Sequence, residues 1–186
     1  MSARSLRSIY QLKITLKSLR PPIWRRFLIA SDTKLDEVHH TLQIVMGWTN
    51  SHLHEFEKNA VRYGELDEGF ASESQDERKF RLEKLLKHEK EKLIYTYDFG
   101  DNWEHEVLLE KIIPFEHGLV LPVCIKGKRA CPPEDIGGVW GYAAFLEAVL
   151  DSDHPEHEEM LDWVGEDFDS EHFDLDEVNG LLRKYC

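Results

Sequence analysis

Long apolar runs are missing from this chain: none approaches the roughly 20 residues that a membrane-spanning helix needs. Cysteine is scarce. Cys124, Cys131 and Cys186 are odd in number and too few to staple a small secreted domain, so a reducing cytoplasmic setting is expected. The N-terminal stretch MSARSLRSIYQLKITL is basic but has no long apolar core and no small-residue cleavage site, so it does not read as a signal peptide. An excess of positive charge is also lacking. Lys and Arg total 23 against 36 Asp and Glu, a formal net charge of −13, which disfavours a general nucleic-acid coat. No Ser/His/Asp signature, phosphate-cradling glycine loop or dinucleotide fingerprint occurs. Asp98-Phe99-Gly100 has neither the glycine-rich loop nor the His-Arg-Asp loop of a kinase, and reads as a turn.

What is present is a globular composition, 41% apolar and 32% charged, in 186 residues, enough for one sizeable core. Charge is segregated along the chain. Residues 1–31 hold seven basic residues and no carboxylate; residues 130–182 hold sixteen carboxylates and no Lys or Arg. The expectation is that the two stretches belong to one folded unit, with Arg20, Arg25 or Arg26 facing carboxylates of residues 130–182.

Tyr10, Leu12, Ile14 and Leu16 alternate with polar residues, the period of a half-buried strand. Pro21-Pro22 interrupts the pattern, and residues 23–30 resume it. Strands are also expected over 52–57, 93–99 and 103–113, the last two joined at Gly100-Asp101-Asn102. Leu35, Val38, Leu42, Val45 and Met46 follow helical spacing behind a capping box from Thr33 to Asp36. A short helix is expected within 80–92. Residues 59–79 read as a mobile loop and 114–137 as a loop containing Pro and Gly. Further helices follow near 142–150, after His154-Pro155 and after Asp174. The fold class that results is α+β: one domain spanning 1–186, a mostly antiparallel sheet packed by an early helix and C-terminal helices.

The chemistry-bearing candidates are histidines and carboxylates. His52 and His54 lie two apart, so on a strand they share a face. His105 shares a face with Trp103. If the strands neighbour each other, His52, His54 and His105 converge with Asp98 or Asp101, a donor set suited to zinc or another divalent metal. Cys124 and Cys131 have no second close pair and read as buried small hydrophobes. A separate candidate is Arg20, Trp24, Arg25 and Arg26, which combine charge with an aromatic face for nucleic acid or a partner.

The runs Tyr10-Gln-Leu-Lys-Ile, Pro22-Ile-Trp-Arg-Arg26, Gly47-Trp48 with His52-Leu-His54-x-Phe56, Tyr97-Asp-Phe-Gly-Asp-x-Trp-x-His105, and Ala130-Cys-Pro-Pro-Glu-Asp-x-Gly-Gly138 with Gly141-Tyr142 resemble the plasmid pRiA4b ORF-three-like family. That family includes passenger proteins of some insertion elements. The resemblance covers about residues 8–182 and implies a compact α+β domain with no established activity. The leading functional expectation is a non-catalytic binding or accessory protein of the cytoplasm, with no obligate cofactor and with a protein as the candidate partner. The alternatives are a metal-dependent hydrolase at the His/Asp cluster and a nucleic-acid-binding protein using the N-terminal strands. No membrane partner is expected.

Overall fold

The two alternating N-terminal runs form β1 (Ser8–Leu16) and β2 (Trp24–Ala30), paired antiparallel from Ile9 opposite Ala30 to Thr15 opposite Trp24. The computed structural model describes residues 8–66, 74–116, 118–165 and 167–186. After α1 (Leu35–Met46) come β3 (His54–Lys58), β4 (Val61–Gly64), β5 (Gln75–Asp76), a single 3-10 turn at Glu77–Lys79, and α2 (Leu82–Leu85). Then β6 (Lys92–Tyr97) and β7 (Trp103–Pro114) pair antiparallel, followed by β8 (Val123–Lys128), α3 (Gly138–Leu150), α4 (His157–Val164) and α5 (Leu175–Tyr185). One eight-stranded sheet results, in the order β5-β4-β3-β6-β7-β1-β2-β8, with β4 and β5 its parallel pair.

Period-two alternation decides where the core lies. Leu12, Ile14, Leu16, Phe27, Ile29, Phe56, Tyr95, Trp103, Val107 and Leu109 all face one side of the sheet and are buried. The apolar stripe of α1 (Leu35, Val38, Leu42, Val45, Met46) covers that side, with Tyr142 and Phe145 of α3 and Leu182 of α5. The single α+β fold expected from the patterning is therefore present.

Four local expectations need correction. Residues 59–79 are not one loop. Val61–Gly64 adds a strand to β3, and residues 75–79 form β5 and a 3-10 turn whose Asp76 and Glu77 are buried; residues 67–73 of that stretch lie outside the described residues. Residues 114–137 contain β8, which closes one edge of the sheet against β2. Its Gly127 lies under the Phe173 ring and the Arg25 side chain, so close that a Cβ would sit 2.5 Å from Phe173. The 80–92 helix shrinks to Leu82–Leu85. Thr33 is not the cap of α1: its hydroxyl donates back to the Ala30 carbonyl, and Glu37 accepts the Lys34 N–H instead.

The expected partners of the N-terminal arginines also change. Arg25 is buried and donates to the carbonyls of Val45, Trp24 and Lys128 at 2.8–2.9 Å, with its guanidinium 4.3 Å from the Phe173 ring centre. Arg26 makes a bidentate pair with Glu110, at 2.6 and 2.8 Å, outside the acidic stretch. Arg20 is exposed. The two ends meet through Arg129, which lies between them, donates to the Pro21 carbonyl at 2.8 Å and pairs with Glu171 at 2.6 Å, and through Phe173 stacked on Arg25.

Candidate metal centre

Two loops meet at one end of the sheet. The first, residues 98–102, connects β6 to β7. Asp98 and Asn102 adopt left-handed backbone (φ 56° and 55°), a conformation that Asp and Asn tolerate better than most residues. Asp98 Oδ1 accepts the Gly100 N–H at 2.9 Å, and the Asp98 N–H donates to the Leu53 carbonyl. One carboxylate oxygen is thus spent on the turn, and the other, Oδ2, is left to face outward from it.

The second loop, residues 131–137, is pinned onto the first. The Trp48 indole donates to the Pro132 carbonyl at 3.1 Å, and the Gly137 N–H donates to Asp101 Oδ2 at 3.1 Å. Gly138 rests so closely on the Asp101 carbonyl that a Cβ would lie 2.4 Å from its oxygen, and its φ of 67° also favours glycine. The Asp-Phe-Gly-Asp and Cys-Pro-Pro-Glu-Asp-x-Gly-Gly runs are therefore two halves of one junction.

His52 stands between the loops. Its Nε2 lies 3.2 Å from Asp135 Oδ1, 3.6 Å from Glu134 Oε2 and 3.7 Å from Asp98 Oδ2. That nitrogen is buried, yet it makes no hydrogen bond among the described residues, because none of the three approaches has hydrogen-bond geometry. One ligand atom each from His52, Asp98 and Asp135 lie within 4.8 Å of one another. Tyr97 braces the arrangement. Its hydroxyl accepts the N–H groups of Ser51 (2.9 Å) and His52 (3.3 Å) and donates to Glu134 Oε1 (3.2 Å), which also accepts the Thr49 N–H. Burial pushes the Tyr97 phenol up to about 12, so it remains a donor at neutral pH.

The remaining expected site residues are placed elsewhere. His54 bonds Glu77 at 2.8 Å and stacks on His39, ring centres 3.4 Å apart and planes 5° from parallel. His39 in turn bonds Tyr95 Oη and Asn50 Oδ1; burial, with His54 alongside, pushes it down to about 3. His105 is fully buried against Trp48 and bonds the Tyr95 carbonyl; burial pushes it down to about 3, so it is neutral. Asp101 is occupied by Gly137. The five-residue cluster expected from spacing thus reduces to His52 and Asp98, and gains Glu134 and Asp135. Those two carboxylates were legible only as the acidic pair inside the Cys-Pro-Pro-Glu-Asp run. The cysteines do not join. All three are free; burial pushes Cys124 up to about 11 and Cys131 higher still, which suits packing and not nucleophilic or ligand duty.

The second candidate face does not form as a set. Trp24 and Arg26 share the open side of the sheet, with Lys13 Nζ 5.0 Å and Arg26 Cζ 5.2 Å from the Trp24 ring, but Arg26 is neutralised by Glu110 and Arg25 points into the interior. Arg20 is the one exposed arginine of the three, and α1–α5 include no helix long and apolar enough to cross a membrane.

Comparison with known proteins places this junction in a wider group. The chain matches the family described as Plasmid pRiA4b ORF-3-like protein over residues 8–177. It is 38% identical over 174 residues to the uncharacterized protein y4hQ of Sinorhizobium fredii, covering 92% of this chain and 89% of that one. It is also similar to the crystal structure of a protein of unknown function, MM3350 from Methanosarcina mazei Go1, with a TM-score of 0.85 and 39% identity over 93% of this chain and 98% of the other. A match across nearly the whole described fold, from β1 into α5, makes this chain a member of the plasmid pRiA4b ORF-3-like family.

Proposed function

We propose that this chain is a binding module whose ligand is a single divalent metal ion, held by His52 Nε2, Asp98 Oδ2 and Asp135 Oδ1, with Glu134 at the edge. The observation that carries this reading is the spacing around His52 Nε2. Ligand atoms bonded to one ion at about 2.1 Å lie roughly 3.0–3.4 Å from one another, and they do not hydrogen-bond. A buried imidazole nitrogen 3.2–3.7 Å from three carboxylates, with no hydrogen bond to any, matches that pattern. An ion also offsets the repulsion among three carboxylates gathered at one point. One imidazole and several carboxylates suit zinc, manganese or iron better than copper(I), which prefers sulfur.

The hydrolase alternative shares this ion. It is favoured by the exposure of Asp135, whose side chain is 75% accessible, because an open flank leaves room for metal-bound water. The free state of all three cysteines supports the cytoplasmic placement.

The test is equilibrium dialysis of chelator-stripped protein against zinc and manganese, read by elemental analysis. About one ion per chain is expected, with loss of binding in His52→Ala and Asp98→Asn. Absence of a bound ion in the wild type, or equal binding in both variants, would refute the reading. Turnover of p-nitrophenyl phosphate by the loaded wild type, lost in His52→Ala, would promote the hydrolase reading.

A further inference from the structure

The helices α1, α3 and α5 pack on one side of the sheet, and the acidic stretch 130–182 builds α3, α4 and the start of α5. Register fixes what the opposite, open side presents. Trp24 faces Thr15 on β1 and Lys128 on β8; Arg26 faces Lys13 on β1 and Lys126 on β8. Gly127, between the two β8 lysines, lies under Phe173 on the helical side, so Lys126 and Lys128 share the open side with Trp24. This face differs from the four-residue set expected from sequence: Arg25 is inside, and lysines of β1 and β8 stand around the indole instead.

The carboxylates that β7 contributes to this side are already matched. Glu104 pairs with Lys17 and Glu106 with Lys92, each at 2.7 Å, and Glu110 is held by Arg26 and Gln11. Lys13 adds to the field that stabilises the Glu110 charge, but among the described residues Lys13, Lys126 and Lys128 form no ion pair. A chain with a net charge of −13 thus carries unmatched positive charge on one face. Edge protection does not explain the β8 pair. Lysines on an edge strand discourage pairing with other chains, but this edge is already occupied. The Asn179 amide accepts the Cys124 N–H at 2.8 Å and donates to the Cys124 carbonyl at 2.9 Å, and Arg25 donates to the Lys128 carbonyl. Nor does edge protection account for Trp24, a half-buried indole on the open side with Lys13 and Arg26 against its ring.

We propose that the open side of β1, β2 and β8 binds single-stranded nucleic acid, with one base stacked on Trp24 and phosphates held by Lys13, Lys126 and Lys128. An indole ringed by unmatched cations on an open sheet supplies both halves of such recognition, a stacking platform and an electrostatic track. A duplex keeps its bases stacked inside and offers the ring nothing. From these strands the track continues into a hollow between β1 and β7 that is lined by Lys90 and Lys111. The acidic helices lie on the other side of the sheet, so the strand meets the lysines without crossing them. The proposal stands apart from the metal reading, because the two sites share no residue.

The experiment is fluorescence anisotropy of labelled oligothymidylate and oligouridylate of about 12 nucleotides, a duplex of equal length and poly-glutamate, titrated with the metal-free full chain. The expected result is saturable binding of one or both single strands, at least about tenfold tighter than the duplex or poly-glutamate. The tighter of the two strands assigns DNA or RNA. Three phosphate contacts give a log–log salt slope of about −2, so affinity should fall roughly 20-fold between about 50 and 200 mM salt. Replacing Lys13, Lys126 and Lys128 together by Gln should remove most of that slope. Trp24→Leu should weaken binding about 5-fold or more and leave the slope unchanged, with folding of each variant checked by circular dichroism. Lys184→Gln, on α5, should change nothing. Absence of single-strand binding at about 50 mM salt, equal binding of the duplex, or an unchanged slope in the triple variant would overturn the proposal. Equal or tighter binding of poly-glutamate would overturn it in favour of an acidic protein partner. Use of metal-free protein separates this outcome from that of the metal centre.

Discussion

His105 and His39 are the residues at which burial most clearly sets a chemical state. Both are pushed from an ordinary value of 6.5 to about 3, so the folded chain holds them neutral while the unfolded chain protonates them below 6.5. Their contribution is fully present above pH 6.5 and is lost as pH falls toward 3. Each histidine then costs about 1.4 kcal/mol per pH unit, or roughly 3 kcal/mol at pH 4.5. Urea melts at pH 8 and pH 4.5 should therefore differ by several kcal/mol. His105→Phe keeps the ring and loses the bond to the Tyr95 carbonyl, so at pH 8 it should cost no more than about 1.5 kcal/mol while roughly halving the acid slope. An unchanged slope would show that His105 takes no part in acid unfolding. At the same scale, Tyr97→Phe removes the donor to Glu134 and the acceptor for the Ser51 and His52 N–H groups. Metal affinity should fall about 10–100-fold with the fold intact by circular dichroism.

At the scale of elements, the junction between the 98–102 turn and the start of α3 depends on the absence of a side chain. Gly138→Ala forces a Cβ to within 2.4 Å of a backbone oxygen at positive φ, and should destabilise by about 2–4 kcal/mol while lowering metal affinity, because the turn that carries Asp98 must move. The same mutation at partly buried Gly180 of α5, where a Cβ meets nothing, should be neutral or slightly stabilising. Strands with clean alternation, β1, β2, β6 and β7, were legible from sequence to within about two residues. β8 was not, because its Gly127 looks like a loop residue when read locally. Only the fold brings Phe173 and Arg25 over it. The histidine cluster failed for a related reason. Period two relates His52 to His54 only if both are in the strand, and β3 begins at His54, so His52 is free to turn toward Asp135. The carboxylates that complete the site come from a loop about 80 residues away, and no local period connects them to His52.

For the whole molecule, the acidic C-terminal third supplies part of the single core. Leu182, Tyr142 and Phe145 are buried with the strands, and Arg25, from β2, is capped by Phe173 and bonded to Lys128. Removing residues 130–186 should leave a chain that does not unfold cooperatively on heating; a cooperative 1–129 fragment would contradict this. The arginines divide accordingly. Arg25→Glu strips donors from three carbonyls and buries an unpaired charge, so it should abolish folding at any salt. Arg26→Glu sets like charges opposite Glu110 in a half-exposed pair, and its smaller loss of about 1 kcal/mol should shrink as salt rises.

The metal centre is the claim on which the functional account turns, and anomalous diffraction at the manganese or zinc edge, from crystals soaked in that ion, reads it most directly. The account predicts one strong peak within about 2.0–2.5 Å of His52 Nε2, Asp98 Oδ2 and Asp135 Oδ1, absent from crystals of His52→Ala. Peaks only at exposed carboxylates elsewhere, with His52 Nε2 still without a ligand, would contradict it.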